Sequence, residues 1–441
     1  MTDRTVESWR RPGGAASLTD LQRSVAVPAH GFVRKLLAFG GPGYLISVGY
    51  MDPGNWATDL GGGSAYGYTL LSVVVLSSLM AMLLQALSVR LGIATGRDLA
   101  RACRDAYPRP AVVALWLFAE IGIVACDLAE VLGTAIALEL LFGLPLLWGV
   151  LLTALDTLIV LALQRFGFRL LEAVVMGLIL LIVFCFAFEL ILAKPELPAL
   201  AAGLVPQIAI FRDAGALFIA VGIIGATVMP HNLYLHSALV QTRRFNLDRA
   251  GKAEAIRFST LDSCIALTLA LLVNAAILVV AAATFHRSGH VEVAEIQDAY
   301  QLIAPLLGAP LAAIVFALAL LFSGQNSTLT GTLAGQIVME GFLDMRLAPW
   351  LRRLMTRLLA IVPAAVVIAI AGETATGRLL IASQVVLSMQ LPFAMVPLVL
   401  FTGDRRKMGA FASPAWLKGL AWLVAGAIIV LNAKLLTDLI S

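Results

Sequence analysis

The chain has 441 residues, 60% of them apolar and only 13% charged. The apolar residues come in long runs rather than at amphipathic spacing, which marks an integral membrane protein and excludes a soluble globular domain. Its net charge of +4 lies mostly in arginines between the runs, so it reports topology and gives no reason to expect nucleic-acid binding.

Residues 1–36 are polar and mixed in charge, with Arg10, Arg11, Arg23, Arg34 and Lys35. No short apolar core with a small-residue cleavage site occurs there, so the segment is expected to be a cytoplasmic tail rather than a signal peptide. Eleven windows of roughly 20 apolar residues follow, each long enough for a tilted transmembrane helix. These are spans 1 to 11, near 38–64, 69–93, 110–139, 145–163, 170–193, 214–240, 259–284, 308–339, 355–371, 379–401 and 415–438. With the amino terminus inside, 26 of the 31 Lys/Arg fall on the inner side. Lys194, Arg212, Arg287, Arg378 and Lys434 are left at or near the outside. That bias predicts a cytoplasmic amino terminus and an extracytoplasmic carboxyl terminus. Cys103, Cys126, Cys185 and Cys264 fall in or near spans with no close-spaced pair, which suggests neither a disulfide framework nor a zinc site.

Two motifs break the apolar pattern in mid-span: Asp52-Pro53-Gly54-Asn55 in span 1 and Met229-Pro230-His231-Asn232 in span 6. Proline lacks an amide hydrogen and clashes with the carbonyl four residues back, which releases the Gly49 and Ala226 carbonyls. Unpaired backbone oxygens at membrane depth require protein, a watery cavity or a ligand. Beside them lie Asp52, the one acidic side chain at the centre of span 1, the Asn55 amide and the Met229 thioether, in outline a cation site. Asn55 also suits a helix N-cap. A thioether offers little to hard ions such as Mg²⁺ or Ca²⁺ but suits first-row transition metals mixed with oxygen donors. Spans 1 and 6 cross the membrane in opposite senses, as in an inverted repeat of five plus five helices. Repeats over 37–195 and 205–402 are expected, with span 11 appended at 413–441.

A second cluster suits proton traffic. Span 3 carries Glu120, Asp127 and Glu130, the last two on one helix face. They read either as a relay or as salt-bridge partners of Arg352 and Arg353, and a relay could use that same pair. His231 follows the span 6 break, and His236, five residues on, lies on a different face. No His-Glu-x-x-His motif occurs, which argues against a metalloenzyme. Gln384 in span 10 could offer an oxygen to a cation, while Gln85, Gln390 and Asn274 fit interhelical hydrogen bonds equally well. The Asn326-Ser327-Thr328 sequon lies inside span 8, where glycosylation is implausible.

At these residues the chain resembles the NRAMP family, the natural-resistance-associated macrophage proteins and their bacterial manganese-transporting relatives. The resemblance is carried by Gly41-Pro42-Gly43, Met51-Asp52-Pro53-Gly54-Asn55, Asp127-Leu128-Ala129-Glu130 and the run from Gly225 to Asn232. It continues in Gly331-Thr332-Leu333-Ala334-Gly335-Gln336 and in the run from Ser383 to Pro392. It implies an all-α membrane fold of eleven helices, a leucine-transporter-type inverted repeat with helices 1 and 6 broken. The implied function is proton-coupled import of divalent transition-metal ions, chiefly Mn²⁺ and Fe²⁺, by alternating access across a bacterial-type cell (inner) membrane. Metal ligands would be Asp52, Asn55, Met229 and the Ala226 carbonyl, with the Gly49 carbonyl and Gln384 joining in some conformations. Proton traffic would involve Asp52, His231, Asp127, Glu130, Arg352 and Arg353, with Glu120 and His236 as further candidates. No cofactor is expected beyond the transported metal and the coupling proton, and a monomer in the lipid bilayer should suffice. Many relatives have Ala at position 49, a change to which a backbone ligand is expected to be indifferent. Met229 is kept, which argues against the magnesium-transporting branch of the same superfamily.

Overall fold

The structure is a computed structural model that describes residues 22–156, 168–291, 293, 295–345, 347–371 and 376–440. Among these, nine helices are long and apolar enough to cross a membrane. They are Leu71–Thr95, Arg109–Phe142, Phe168–Ala193, Ala214–Thr242, Arg249–Ser288, Pro310–Leu343, Trp350–Ile370, Thr376–Gly403 and Ala415–Asp438, which correspond to spans 2, 3 and 5 to 11. Span 1 is missing from that set because its two half-helices, Pro42–Gly49 and Pro53–Tyr66, are separated by Tyr50, Met51 and Asp52 and neither is long enough alone, whereas only Met229 interrupts span 6. Span 4 is described only over its first part, Leu146–Leu155; the rest of its expected window lies outside the described residues.

Each half-helix starts where the sequence chemistry allows. Pro42, Pro53 and Pro230 occupy first turns, where a missing amide costs nothing. Asp52 caps the second half of span 1: its Oδ1 accepts the Asn55 backbone N–H at 2.9 Å. Span 6 is cut the same way, into Ala214–Val228 and Pro230–Leu239, with Met229 at φ −4° and ψ 109° between them.

Small residues let the broken helices press into their neighbours. A Cβ on Gly133 would meet Pro53 Cβ at 2.1 Å, and one on Gly63 would meet the Leu278 carbonyl at 2.4 Å. A Cβ on Gly225 would lie 1.9 Å from the Gln384 carbonyl. Trp56 is wedged between Phe186 and Phe316, at ring separations of 4.8 and 5.1 Å.

At the end of the bundle that carries the amino terminus, a polar clamp grips the start of span 1. Val25–Ala26 pairs in parallel with Arg243–Arg244, just past span 6. Lys35 pairs with Glu254, and Phe39 stacks on Phe258. Arg243 donates to the Gly40 carbonyl (2.5 Å) and to Glu172 (2.7 Å), while Arg169 reaches the same carbonyl at 3.0 Å. The Gly43 N–H donates to Asp262 at 2.7 Å. Gly41, at φ +129°, must be glycine on two grounds: its backbone angle, and a Cβ site 2.2 Å from Glu172 Oε1. The boundary expected between residues 36 and 37 therefore falls inside a docked helix, Phe32–Phe39.

Candidate metal site

The two breaks meet. A Cβ on Gly49 would sit 3.1 Å from Met229 Sδ and 2.5 Å from Asn232 Nδ2, so the last turn of the first half of span 1 lies against the span 6 break. Met229 packs with Cys126 of span 3 and Leu387 of span 10. Cys126 Sγ in turn lies 3.7 Å from Asp52 Oδ2. Gln384 drapes over Gly54, whose Cβ position is 2.0 Å from its Nε2. Asp52, Asn55, Ala226, Met229 and Gln384 are each at most 1% exposed. Gly49, Met229 and Asn232 are thus neighbours across the two breaks, and the other expected ligands are buried on the two broken spans and on span 10.

What this pocket lacks is positive charge. Asn55 Oδ1, Gln384 Oε1 and Asn232 Oδ1 are buried with no hydrogen-bond partner. Each such acceptor costs about 1–3 kcal/mol when left unpaired, so three orphaned amide oxygens on the residues that carry and flank the breaks suit a cation. Among the described residues no group of three His, Cys, Asp or Glu could hold a metal, because this pocket has only one carboxylate and otherwise neutral donors. Not every carbonyl at the span 1 break is free: Asn274 donates to the Tyr50 carbonyl at 2.8 Å and Ser323 to the Met51 carbonyl at 2.5 Å. Pro53 has no amide to offer Gly49, and Pro230 none to offer Ala226, which leaves those two carbonyls for a ligand.

The acids of span 3 meet the arginines of span 9. Arg353 donates to Asp127 at 2.7 Å and to Glu130 at 3.2 Å, and Arg352 grips both oxygens of Glu120 at 2.7 and 2.8 Å. Cys126 Sγ lies 3.8 Å from Glu130 Oε1, so the thiol bridges the Asp52 pocket and this network. His231 is buried with Nδ1 unpartnered. His236 is elsewhere: its Nδ1 pairs with Gln85 Oε1 at 2.9 Å, and Gln85 donates to the Tyr50 hydroxyl at 2.6 Å. Its hydrogen bond joins it to spans 1 and 2, away from the span 3 acids. Gln85 and Asn274 do bridge helices, while Gln390 finds no partner. Asn326 is fully buried, with its amide on the Val175 carbonyl.

Sequence reasoning missed Cys126, Asn232, Arg357, Thr328 and Asp156. Arg357 donates to Thr328 (2.7 Å), Glu130 (3.3 Å) and Asp156 (3.3 Å). Its place four residues after Arg353, on the same helix face, was the available signal. Asp59 in span 1 and Glu189 in span 5 are further buried carboxylates, with unpartnered oxygens. Position 49 is not indifferent to a methyl group, since Asn232 occupies that space.

Residues 43–438 match the family model described as natural resistance-associated macrophage protein-like. The chain belongs to this family. Similar relatives include proteins named divalent metal cation transporter MntH. One from Nostoc sp. is 58% identical over 426 residues, covering 96% of each chain. One from Bradyrhizobium diazoefficiens is 60% identical over 423 residues, covering 96% of this chain and 94% of its own. Among solved structures, the manganese transporter of Eremococcus coleocola superposes with a TM-score of 0.88 at 43% identity, over 96% of this chain and 90% of that one. A transporter of the nucleobase-cation-symport-1 family shares the fold alone, with a TM-score of 0.58 at 13% identity. The NRAMP architecture is therefore the eleven-helix, leucine-transporter-type arrangement with spans 1 and 6 broken.

Proposed function

We propose that this NRAMP chain is a carrier, not an enzyme, that imports divalent transition-metal ions such as Mn²⁺ and Fe²⁺ across the cell membrane, driven by protons through alternating access. The amino terminus would be cytoplasmic and the carboxyl terminus extracytoplasmic. One observation supports the reading: the two helix breaks meet, and the residues that carry and flank them hold the buried Asp52, the Met229 thioether and the unpartnered amide oxygens of Asn55, Gln384 and Asn232. Asp52, Asn55, Met229, Gln384 and the Gly49 and Ala226 carbonyls would take the ion. A single carboxylate leaves a bound divalent ion incompletely neutralised, which suits a site that must release its cargo. Metal and proton compete for Asp52 because each neutralises it, and the nearby network of Glu130, Asp127, Arg353, Arg352 and Glu120 offers the proton a route, with His231 beside the break. The clamp of Arg243, Glu172, Arg169 and Asp262 on span 1 would have to open for inward release. Every ligand comes from one chain, so a monomer suffices.

Competition for Mn²⁺ uptake in proteoliposomes tests the reading. Fe²⁺ and Cd²⁺ should compete and Mg²⁺ and Ca²⁺ should not. Equal competition by Mg²⁺ would remove the selectivity argument, and uptake of an organic solute instead would overturn the function.

A further inference from the structure

The Glu130 carboxylate is shared between two arginines, and the second leads away from the metal pocket. Arg357, fully buried, donates through Nη1 to Glu130 and through Nη2 to Asp156 of span 4, both at 3.3 Å, and to Thr328 at 2.7 Å. Thr328 closes the loop by donating to Glu130 Oε2 at 3.2 Å. Asp156 lies on the wall of a mostly apolar cavity of about 510 Å³ between spans 3, 4, 5 and 8, where leucines and Phe322 outweigh the polar Thr134, Thr153 and Gln325.

Charge counting gives the cluster a function. Arginine keeps its proton under all conditions a protein meets. Asp127, Glu130 and Asp156 with Arg353 and Arg357 therefore total one surplus negative charge when every carboxyl is ionised. Uptake of one proton brings the buried cluster to neutrality, the state a low-dielectric interior favours. We propose that Asp156 is a positioning residue for proton coupling: through Arg357 it supplies the surplus negative charge that lets the span 3 acids hold one transported proton. This rests on the proton-coupled reading above. The groups facing Asp156 from its packed neighbours are Arg357 and, further off, Arg353 of span 9, with uncharged Gln325 from span 8.

The test uses two substitutions of opposite sign in the full-length protein, reconstituted in proteoliposomes, with Mn²⁺ uptake and Mn²⁺-dependent proton flux followed against external pH. Asp156→Asn removes the surplus charge, so protonation of the cluster requires more acid, and the uptake midpoint should move down by about two pH units. That is the order expected for a unit charge about 6 Å away in an effective dielectric of about 20. Arg357→Gln adds to the surplus and should move the midpoint up by a similar amount, while Arg357→Lys should restore it. Mn²⁺ affinity should stay near the unsubstituted value in all three, which also certifies folding. Midpoints that move in the same direction, or not at all, would overturn the proposal. Absence of Mn²⁺-dependent proton flux in the unsubstituted protein would instead overturn proton coupling itself. If Asp156→Asn does not fold, the upward shift in Arg357→Gln and its absence in Arg357→Lys still decide the matter.

Discussion

Gly225 is the most sensitive backbone position of the proposed site. A methyl group there would fall 1.9 Å from the Gln384 carbonyl and 2.7 Å from the Ser388 amide, whereas real Cβ contacts essentially never drop under 3.0 Å. Both obstacles are backbone, so Gly225→Ala must push spans 6 and 10 apart by about 1 Å. Overpacking of that kind costs about 1–3 kcal/mol, and metal–ligand distances tolerate only about 0.2 Å. The displaced neighbours are Ala226 on one side and Gln384 on the other, both proposed ligands. Losing one donor at about 1.4 kcal/mol is a tenfold change, so Mn²⁺ affinity measured by calorimetry should fall at least about tenfold. Gly419→Ala, with open space around its Cβ position, is the control and should change nothing. A folded Gly225→Ala protein that binds Mn²⁺ within about twofold of the unsubstituted one would refute the placement of the site at the packed junction of spans 6 and 10.

Other substitutions probe separate parts of the account. Met229→Ala removes the soft donor, so competition by Ca²⁺ and Mg²⁺ in uptake assays should rise; unchanged selectivity would take Met229 out of the ligand set. Gly49→Ala must move the Asn232 amide, whose Nδ2 lies 2.5 Å from the new Cβ. A modest loss of Mn²⁺ affinity is expected, and no loss would show that Asn232 is not a neighbour of the bound ion. Arg243 and Glu172 form a buried pair at 2.7 Å, and breaking such a pair by removing one partner costs about 3–5 kcal/mol. Arg243→Ala and Glu172→Ala should each lower the unfolding temperature, and the double variant by less than the sum; additivity would show that the two do not interact.

The broken helices were legible because proline and glycine act locally: Pro53 and Pro230 dictate where the ladder fails whatever surrounds them. The ligands proposed beside Asp52, namely Asn55, Met229 and the two freed carbonyls, rest on the same local argument. Partners contributed by distant helices were not legible. Ser323 and Asn274 satisfy two carbonyls of the span 1 break from spans 8 and 7, and nothing in the sequence around the break announces them. Cys126 read as an unremarkable apolar-span thiol, and only the packing of span 3 against both breaks puts it between Asp52 and Glu130. The pairing of Glu120, Asp127 and Glu130 with Arg352 and Arg353 was visible from charge scarcity alone, since ions in a membrane must find each other. Asp156 and Arg357 complete that network by the same rule. His236 shows the limit of grouping by type, because its neighbour Gln85 draws it into a different hydrogen-bond network.

The central claim is that one buried site couples metal entry to proton entry. Mn²⁺ uptake and internal pH should be followed together in proteoliposomes holding the unsubstituted protein or Asp52→Asn, with and without an inward proton gradient. The account predicts gradient-stimulated Mn²⁺ uptake accompanied by internal acidification, and loss of both in Asp52→Asn. Uptake at the normal rate by Asp52→Asn, or Mn²⁺ entry indifferent to the gradient, would contradict it.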